Sequence, residues 1–204
     1  MKNKQPRPAV FLDRDGTINE QMGYINHISR FHILPGVAEA IKLLNDNHIP
    51  VVVVSNQSGL ARGYFPRELV DKVHETMKKT LAAKSAFIDA VYYCPHHPEA
   101  VEEQYRQKCS CRKPGTGMLK QAATEMNLDL QKSFLIGDRW TDLRCAVNAG
   151  SVPVLVLTGY GKGDYQYIGP TQDVQPKFVG ENLLQAAEWI VAQMKGREND
   201  TRTG

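Results

Sequence analysis

Short apolar runs, each too brief for a buried helix, alternate with amphipathic stretches along most of this chain. Residues 50–55 read Pro-Val-Val-Val-Val-Ser, a β-branched run of the kind that forms a buried strand. Similar runs occupy residues 8–13, 88–93, 133–137 and 153–157. Because strands buried on both faces need helices on both sides, this pattern predicts a parallel sheet with right-handed βαβ crossovers.

The stretches between these runs carry apolar residues at helical spacing. Val37, Ala40, Ile41 and Leu44 occupy positions i, i+3, i+4 and i+7, which is one face of an amphipathic helix. Further helices are predicted around residues 69–81, 119–126, 140–149 and 184–194. We therefore predict a single domain over residues 1–204. It is a three-layer, Rossmann-like α/β fold with no large cap domain and a polar tail after residue 195.

Composition and charge narrow the possible partners. A formal charge of +3 on 204 residues is too small to indicate binding to nucleic acid or to a membrane. No apolar run approaches the roughly 18–20 residues of a membrane-spanning helix, and residues 1–8 do not resemble a signal peptide. We therefore expect a cytoplasmic, monomeric protein whose partner is a small molecule.

Polar residues follow three of the predicted strands at the point where each strand ends. Asp13 and Asp15 follow the first run, Ser55 ends the run of valines, and Asp138 follows the run at 133–137. In open α/β sheets, ligands bind beyond the carboxyl ends of the strands, and neighbouring strands lie about 5 Å apart. We therefore expect these side chains to share one crevice.

Taken singly, each of these residues has an ordinary structural explanation, such as a turn, a helix cap or a solvated surface charge. Their joint order indicates a specific reaction. Asp13 can attack phosphorus, and Asp15 can protonate the leaving oxygen and then activate water. Mg²⁺ prefers oxygen ligands, which Asp13 and Asp138 offer, while Ser55 and Lys113 suit the charge on the transferring phosphoryl group.

Three of the four cysteines lie close together in an irregular stretch, whereas Cys145 stands apart on a predicted helix. In a reducing compartment such clustering favours a metal over a disulfide. The set Cys94, His96, Cys109 and Cys111 forms a closed Cys₃His shell typical of structural zinc, with His97 as an alternative to His96. We expect this zinc loop, about 94–111, to hold the residues that follow it. Free thiols beside a surface histidine are the other interpretation.

In chain order, these motifs resemble the four motifs of the haloacid dehalogenase-like phosphatases. The resemblance runs from Val10 to about Gly161 and rests on Phe11-Leu-Asp13-Arg-Asp15-Gly-Thr17, Ser55-Asn56, Lys113 and Gly137-Asp138 with Asp142.

This resemblance implies a role for each matching residue. Asp13 is implied to be the nucleophile and a Mg²⁺ ligand. Asp15 is implied to be the general acid and base, with its backbone carbonyl also on the metal. Ser55 and Lys113 are implied to hold the phosphoryl group, and Asp138 to complete the protein ligands of Mg²⁺. The family pattern also favours His96 over His97 as the zinc ligand.

Within that family, two branches share a zinc loop of this kind. One acts on the 7-phosphate of D-glycero-D-manno-heptose 1,7-bisphosphate, a step toward ADP-heptose and lipopolysaccharide core, and the other on histidinol phosphate. Gly23-Tyr24, the segment Asn56-Gln-Ser-Gly-Leu-Ala-Arg62-Gly63 and the long interval from His96 to Cys109 resemble the heptose branch. We therefore predict a heptose bisphosphate phosphatase. The sequence leaves the preferred anomer open.

Short loops are expected to select the substrate, because the interval from Thr17 to Pro35 leaves no room for a large cap. Arg112 suits a second phosphate through its fork of donors. The predicted substrate-binding residues are Gln21, Met22, Gly23, Tyr24, Asn56, Gln57, Ser58, Arg112 and Arg139. The glycine-rich peptide at 159–163 lacks the spacing of a phosphate-binding loop and is predicted to be a surface turn.

Three other functions are compatible with parts of the pattern. A histidinol-phosphate phosphatase would share the chemistry but usually has a shorter zinc loop. A nucleic-acid 3′-phosphatase would share the first two motifs but needs a basic, aromatic strip that this chain lacks. A non-catalytic zinc module would leave the set Asp13, Asp15, Ser55, Lys113 and Asp138 unexplained.

Overall fold

Six parallel strands form one sheet in the order β3-β2-β1-β4-β5-β6. The computed structural model of this chain describes the backbone of residues 5–200 and the side chains of residues 5–196. The strands are β1 (Val10–Leu12), β2 (Val51–Asn56), β3 (Ala90–Cys94), β4 (Phe134–Gly137), β5 (Val152–Val156) and β6 (Phe178–Gly180). This architecture confirms the predicted three-layer α/β fold.

Helices connect the strands. They are α1 (Val37–Asp46), α2 (Ser58–Ala61), α3 (Arg67–Ala82), α4 (Gly117–Met126), α5 (Trp140–Ala149), α6 (Gly161–Gly163) and α7 (Leu183–Asp200). Between Thr17 and Pro35 the only regular element is the 3₁₀ turn Ile28–Arg30, so this interval holds no cap domain. Within residues 5–200, no helix combines the length and apolarity needed to cross a membrane.

Alternate residues of the central strand β1 enter the two halves of the core. Val10 and Leu12 pack in the cluster that holds Ile41 of α1 and Ile190 of α7. Phe11 points to the opposite face and packs in the cluster that holds Leu119 of α4. Because successive side chains of a strand point to opposite faces, an unbroken apolar run is the signature of this two-sided burial.

The structure adds elements that the sequence patterns did not predict. Strand β6 has only three residues, and helix α2 has four, so neither carries enough of a repeat to be recognised. The last helix continues to Asp200, beyond Lys195, where the polar tail was predicted to begin. The rest of that predicted tail, 201–204, lies outside the described residues.

The strand order places the predicted functional residues at one edge. β1 lies between β2 and β4, and the chain reaches those two neighbours by connections on opposite faces of the sheet. Such a switch point leaves a crevice beyond the carboxyl ends of the strands. Asp13 directly follows β1, Ser55 lies near the end of β2, and Asp138 directly follows β4.

We predict that Phe134→Ala lowers the free energy of unfolding by about 3–5 kcal/mol, because it opens a cavity in the core. Phe134 has no exposed surface, and its ring meets Trp189 of α7 edge-on at 5.9 Å. Urea denaturation measures the change. Phe87→Ala is the control, since 58% of Phe87 is exposed, and this variant should change stability by less than about 0.5 kcal/mol. Equal losses in the two variants would contradict the prediction.

Candidate active site

Three buried carboxylates gather beyond the ends of β1 and β4. One oxygen from each of Asp13, Asp138 and Asp142 lies within 4.8 Å of the others. Asp13 and Asp138 follow their strands directly, and Asp142 projects from the first turn of α5. Like charges at this separation repel strongly in a buried site, so the group needs cations to compensate it.

Lys113 supplies one of these cations from a loop far away in the sequence. Its Nζ lies 2.7 Å from Asp13 Oδ1 and 2.7 Å from Asp142 Oδ1, and it donates to the carbonyl of Val54 at 2.9 Å. Burial alone would favour the neutral amine, but the two carboxylates raise the pKa of Lys113 above its usual value. The lysine is therefore charged, and its ammonium group holds the carboxylates of Asp13 and Asp142 in fixed positions.

One ammonium does not compensate three carboxylates. Burial, with repulsion from Asp142 and Asp15, raises the pKa of Asp13 to about 6 despite the opposing charge of Lys113. Burial and the neighbouring carboxylates raise the pKa of Asp138 to about 8. Among the described residues, Asp138 Oδ1 is buried and has no hydrogen-bond partner. An orphaned carboxylate oxygen in an acidic cluster fits a hard divalent cation such as Mg²⁺.

The glycine-rich peptide at 159–163 covers this cluster. The backbone N–H of Tyr160 donates to Asp138 Oδ2 at 2.8 Å, and the hydroxyl of Thr158 donates to the carbonyl of Gly16 at 2.6 Å. Gly16 has φ +89° and Gly159 has φ +55°, and a Cβ on either would collide with the Asp138 carboxylate. The predicted surface turn is present, since residues 158–160 form a turn in which Gly159 and Tyr160 are exposed, and its inner side also packs against the Asp138 carboxylate.

Asp15 faces away from the carboxylate cluster into a separate network. Arg14 Nη2 lies 2.9 Å and 2.8 Å from its two oxygens, Asn19 Nδ2 donates to Oδ1 at 3.0 Å, and Gln57 Nε2 donates to Oδ2 at 2.8 Å. Burial alone would raise the pKa of Asp15, but the charge of Arg14 and these hydrogen bonds together lower it. The side chain is 20% exposed, at the cleft.

The end of β2 links both networks. Gln57 Nε2 donates to Ser55 Oγ at 2.8 Å as well as to Asp15. Asn56 clamps the backbone of Lys113, since its Oδ1 accepts from the Lys113 N–H at 3.0 Å and its Nδ2 donates to the Lys113 carbonyl at 3.2 Å. The amides of Asn56 and Gln57, which were predicted to bind substrate, thus also orient the residues around them.

A second cluster lies beyond the end of β3. The Sγ atom of Cys111 is 3.0 Å from that of Cys94 and 3.2 Å from that of Cys109, while His96 Nδ1 is 3.3 Å from the same sulfur. All four cysteines are free. These separations are somewhat shorter than the roughly 3.8 Å between sulfurs that 2.3 Å Zn–S bonds imply in a tetrahedron. Three thiols and one imidazole nitrogen in this arrangement fit zinc.

The other histidine of this loop lies outside the cluster. His97 Nε2 is 3.3 Å from Arg62 Nη2, and its Nδ1 accepts from the N–H of Glu99 at 3.1 Å. The structure therefore brings His96, and not His97, to the three sulfurs.

The loop after the cysteines carries two cations into the cleft. Arg112 Nη1 donates to the carbonyl of His96 at 3.4 Å, and Lys113 follows directly. Gly115 and Gly117 allow the backbone to turn here, because a Cβ on either would meet the backbone of Ser110. The Cys/His cluster and the buried lysine are therefore parts of one compact loop.

A cleft of about 440 Å³ joins the two networks. Its lining includes Asp13, Asp15, Ser55, Lys113 and Asp142, together with the predicted substrate residues Gln21, Gly23, Tyr24, Asn56, Gln57, Ser58, Arg112 and Arg139. Met22 lies outside this lining and borders a neighbouring hollow together with Tyr64. The backbone carbonyl of Met22 accepts a hydrogen bond from the Arg30 side chain at 3.2 Å. Arg139 lies over the ring of Tyr160 at 4.8 Å and is half exposed.

Several residues of the site were not predicted from the sequence. Arg14 is the middle residue of the D-x-D motif and Asn19 follows that motif, while His74 comes from α3 and Tyr160 from the peptide after β5. A charged residue between two aspartates gives no signal of burial by itself. A histidine among apolar residues on one face of a helix is such a signal, and His74 follows Val73 on that face.

Comparison with known proteins gives consistent matches. The HAD-hydrolase-like family model matches residues 110–186. The D-glycero-D-manno-heptose-1,7-bisphosphate 7-phosphatase of Thermosynechococcus vestitus is 42% identical over 200 residues, covering 94% of this chain and 100% of the relative. The D-glycero-beta-D-manno-heptose-1,7-bisphosphate 7-phosphatase of Escherichia coli K12 is 44% identical over 153 residues, covering 74% and 80%.

A solved structure agrees with these relatives. The D,D-heptose 1,7-bisphosphate phosphatase of B. bronchiseptica, crystallised with magnesium and phosphate, superposes with a TM-score of 0.81. Its sequence is 32% identical, and the match covers 91% of this chain and 99% of that one.

We predict that Mg²⁺ binding weakens as the pH falls from 8 to 6. Without metal, the raised pKa values of Asp13 and Asp138 leave these carboxyls partly protonated in this range, so binding must release protons. The affinity should fall about tenfold per pH unit for each proton displaced. Calorimetry in two buffers of different ionisation enthalpy measures affinity and proton release together. A constant affinity without proton release would contradict the prediction.

We predict that Cys109→Ala yields a protein without bound zinc whose phosphatase activity falls by on the order of a hundredfold, because Arg112 and Lys113 lose their support. Elemental analysis and turnover of 4-nitrophenyl phosphate measure the two effects. Cys145→Ser is the control, since Cys145 is buried outside the cluster and donates to the carbonyl of Gly115 at 3.2 Å. Normal turnover by zinc-free Cys109→Ala would contradict this role.

Proposed function

Because this chain belongs to the haloacid dehalogenase-like phosphatases, with heptose bisphosphate phosphatases among its relatives, we propose that it removes the 7-phosphate of D-glycero-D-manno-heptose 1,7-bisphosphate. The observation that carries the proposal is the shared position of Lys113 between the carboxylates of Asp13 and Asp142, beside the orphaned oxygen of Asp138. Its product would feed ADP-heptose and lipopolysaccharide core synthesis.

In the first half of the reaction, an Asp13 oxygen attacks phosphorus and the bond to the sugar oxygen breaks. Asp13 then carries the phosphoryl group as an acyl phosphate. Asp15 donates a proton to the departing sugar oxygen. The ammonium of Lys113 and the hydroxyl of Ser55 stabilise the charge on the transferring group, since both lie in the cleft.

In the second half, the ionised Asp15 takes a proton from water, which attacks the acyl phosphate. Inorganic phosphate leaves and the Asp13 carboxylate is restored. The lowered pKa of Asp15 favours the ionised form that this step needs. In the first half, the negative charge of a bound phosphate has the opposite effect and favours protonated Asp15.

Asp13 and Asp138, with the backbone carbonyl of Asp15, would hold Mg²⁺, and Asp142 would support them through Lys113. A bound Mg²⁺ supplies positive charge that lets a carboxylate approach a phosphate dianion. The raised pKa values of Asp13 and Asp138 support this assignment, because a cation would restore both to the ionised state.

A bisphosphate fits the remaining charge of the cleft. Arg112 and Arg139 line it on the side of the zinc loop and of α5, and both offer the planar fork that suits phosphate. Tyr24 lines the same cleft and meets Tyr64 edge-on at 4.8 Å, which provides an aromatic wall for a sugar. The two arginines and the aromatic wall support a substrate that is a sugar with a second anionic group.

Two further assignments belong to the same proposal. Cys94, His96, Cys109 and Cys111 would hold a structural Zn²⁺, and a closed shell of this kind leaves no position for activated water. The free thiols fit a reducing compartment, so we retain the cytoplasm as the expected location. Monomeric assembly remains a prediction.

We predict that purified protein with Mg²⁺ hydrolyses heptose 1,7-bisphosphate at least a hundredfold more efficiently than histidinol phosphate. That ratio in kcat/KM corresponds to about 2.7 kcal/mol of transition-state binding. Both anomers of the heptose are compared by phosphate release. Asp13→Asn is the blank, because it removes the nucleophile and keeps the shape of the side chain.

Preference for histidinol phosphate would overturn the substrate and leave the chemistry intact. Undiminished release by Asp13→Asn would overturn the mechanism itself.

A further inference from the structure

Arg14 lies between Asp13 and Asp15 in the sequence, two residues of the proposed reaction centre, yet its guanidinium is buried. Its side chain is 2% exposed, and Nε and Nη2 both reach the carboxylate of Asp15, at distances of 2.8–3.3 Å. Arg14 borders the cleft but exposes almost none of its side chain there, and its guanidinium is committed to Asp15. Its position therefore suits holding Asp15 rather than binding substrate.

The far side of the guanidinium meets a histidine from a distant helix. Arg14 Nη1 lies 3.2 Å from Nε2 of His74 on α3. Arginine has five donors and no acceptor, so Nε2 of His74 accepts this hydrogen bond. Burial and the charge of Arg14 lower the pKa of His74 to about 3, so the imidazole is neutral at physiological pH.

The histidine is itself held in place. His74 is 8% exposed, lies between Val73 and the rest of the buried face of α3, and its ring meets that of Tyr93 on β3 at 5.5 Å. The backbone carbonyl of Arg14 accepts from the N–H groups of Ile18 at 2.8 Å and Asn19 at 3.1 Å. Both ends of the arginine are therefore anchored, one by the loop and the other by α3.

Building on the proposed phosphatase function, we propose that His74 is a positioning residue for the leaving-group proton transfer. Its Nε2 fixes the Arg14 guanidinium against Asp15, and this contact keeps the Asp15 carboxyl directed at the oxygen that departs. A shift of about 1 Å in such a group lowers the rate on the order of a hundredfold. His74 touches no substrate and acts through Arg14 alone.

The test compares substrates that differ in their need for a general acid. A sugar phosphate leaves as a basic alkoxide and needs the proton from Asp15, whereas 4-nitrophenyl phosphate leaves as a stable phenolate. In His74→Phe, which keeps the ring shape and removes the acceptor, kcat/KM should fall about 10–100-fold for the sugar phosphate. For the aryl phosphate it should fall less than about threefold. Asp15→Asn should show the same selectivity and a larger loss.

Two further variants separate this role from a general loss of stability. His74→Gln returns an acceptor at a similar reach and should restore sugar-phosphate turnover to within about threefold of the parent. Met77→Ala removes a fully buried side chain one turn later on α3, so it should lower the Tm and leave the ratio of the two substrates unchanged.

If His74→Phe leaves the ratio of kcat/KM for the two substrates unchanged, whether both values fall equally or neither falls, the positioning role is overturned while the phosphatase function stands. A parent protein inactive on both substrates, or active after Asp13→Asn, would overturn the proposed function and this role with it. If His74→Phe does not fold, Arg14→Lys replaces it. A lysine keeps the charge but does not reach Asp15 and His74 together, and the same selective loss is expected.

Discussion

The site depends on one buried ammonium group shared between two carboxylates. Lys113 Nζ lies 2.7 Å from Asp13 and from Asp142; the side chains of Lys113 and Asp142 are 2% exposed and that of Asp13 is 12% exposed. Removing one partner of such a buried charge group leaves the others uncompensated, at a cost of about 3–5 kcal/mol. This interaction joins β1, the loop before α4 and the first turn of α5, so the geometry of the proposed nucleophile, Asp13, depends on three distant parts of the chain.

The Cys/His cluster matters because of where Lys113 is attached. Only Arg112 separates Lys113 from Cys111, and the Asn56 amide clamps the lysine backbone from the end of β2. A long irregular loop would not hold an ammonium at a fixed distance from two carboxylates without an anchor. Four ligand groups within 4.8 Å of one another supply that anchor when a metal binds them. A metal bound by the Cys/His cluster would therefore also fix the position of Lys113 in the carboxylate cluster.

The site separates its carboxylates by environment. Asp13 and Asp138 lie among other carboxylates, and burial raises their pKa values, whereas Asp15 lies against Arg14 and its pKa is lowered. This division matches the tasks proposed for them, metal binding by Asp13 and Asp138 and proton transfer by Asp15. It arises because the two aspartates of the D-x-D turn point to different sides, Asp13 toward Asp138 and Asp142 and Asp15 toward the guanidinium of Arg14.

The sequence by itself determined the α/β class, the main strands and helices, and the positions of the polar residues at strand ends, because hydrophobic periodicity and strand-end chemistry are local. It also grouped the three cysteines with a histidine, and the family resemblance favoured His96, whereas the structure places His97 outside the cluster. Only the tertiary structure decided that Arg14 is buried between Asp15 and His74, and that Gly159 closes over Asp138. Those contacts join residues about 60 and 20 positions apart, and no local pattern records which distant side chain a folded chain brings against another.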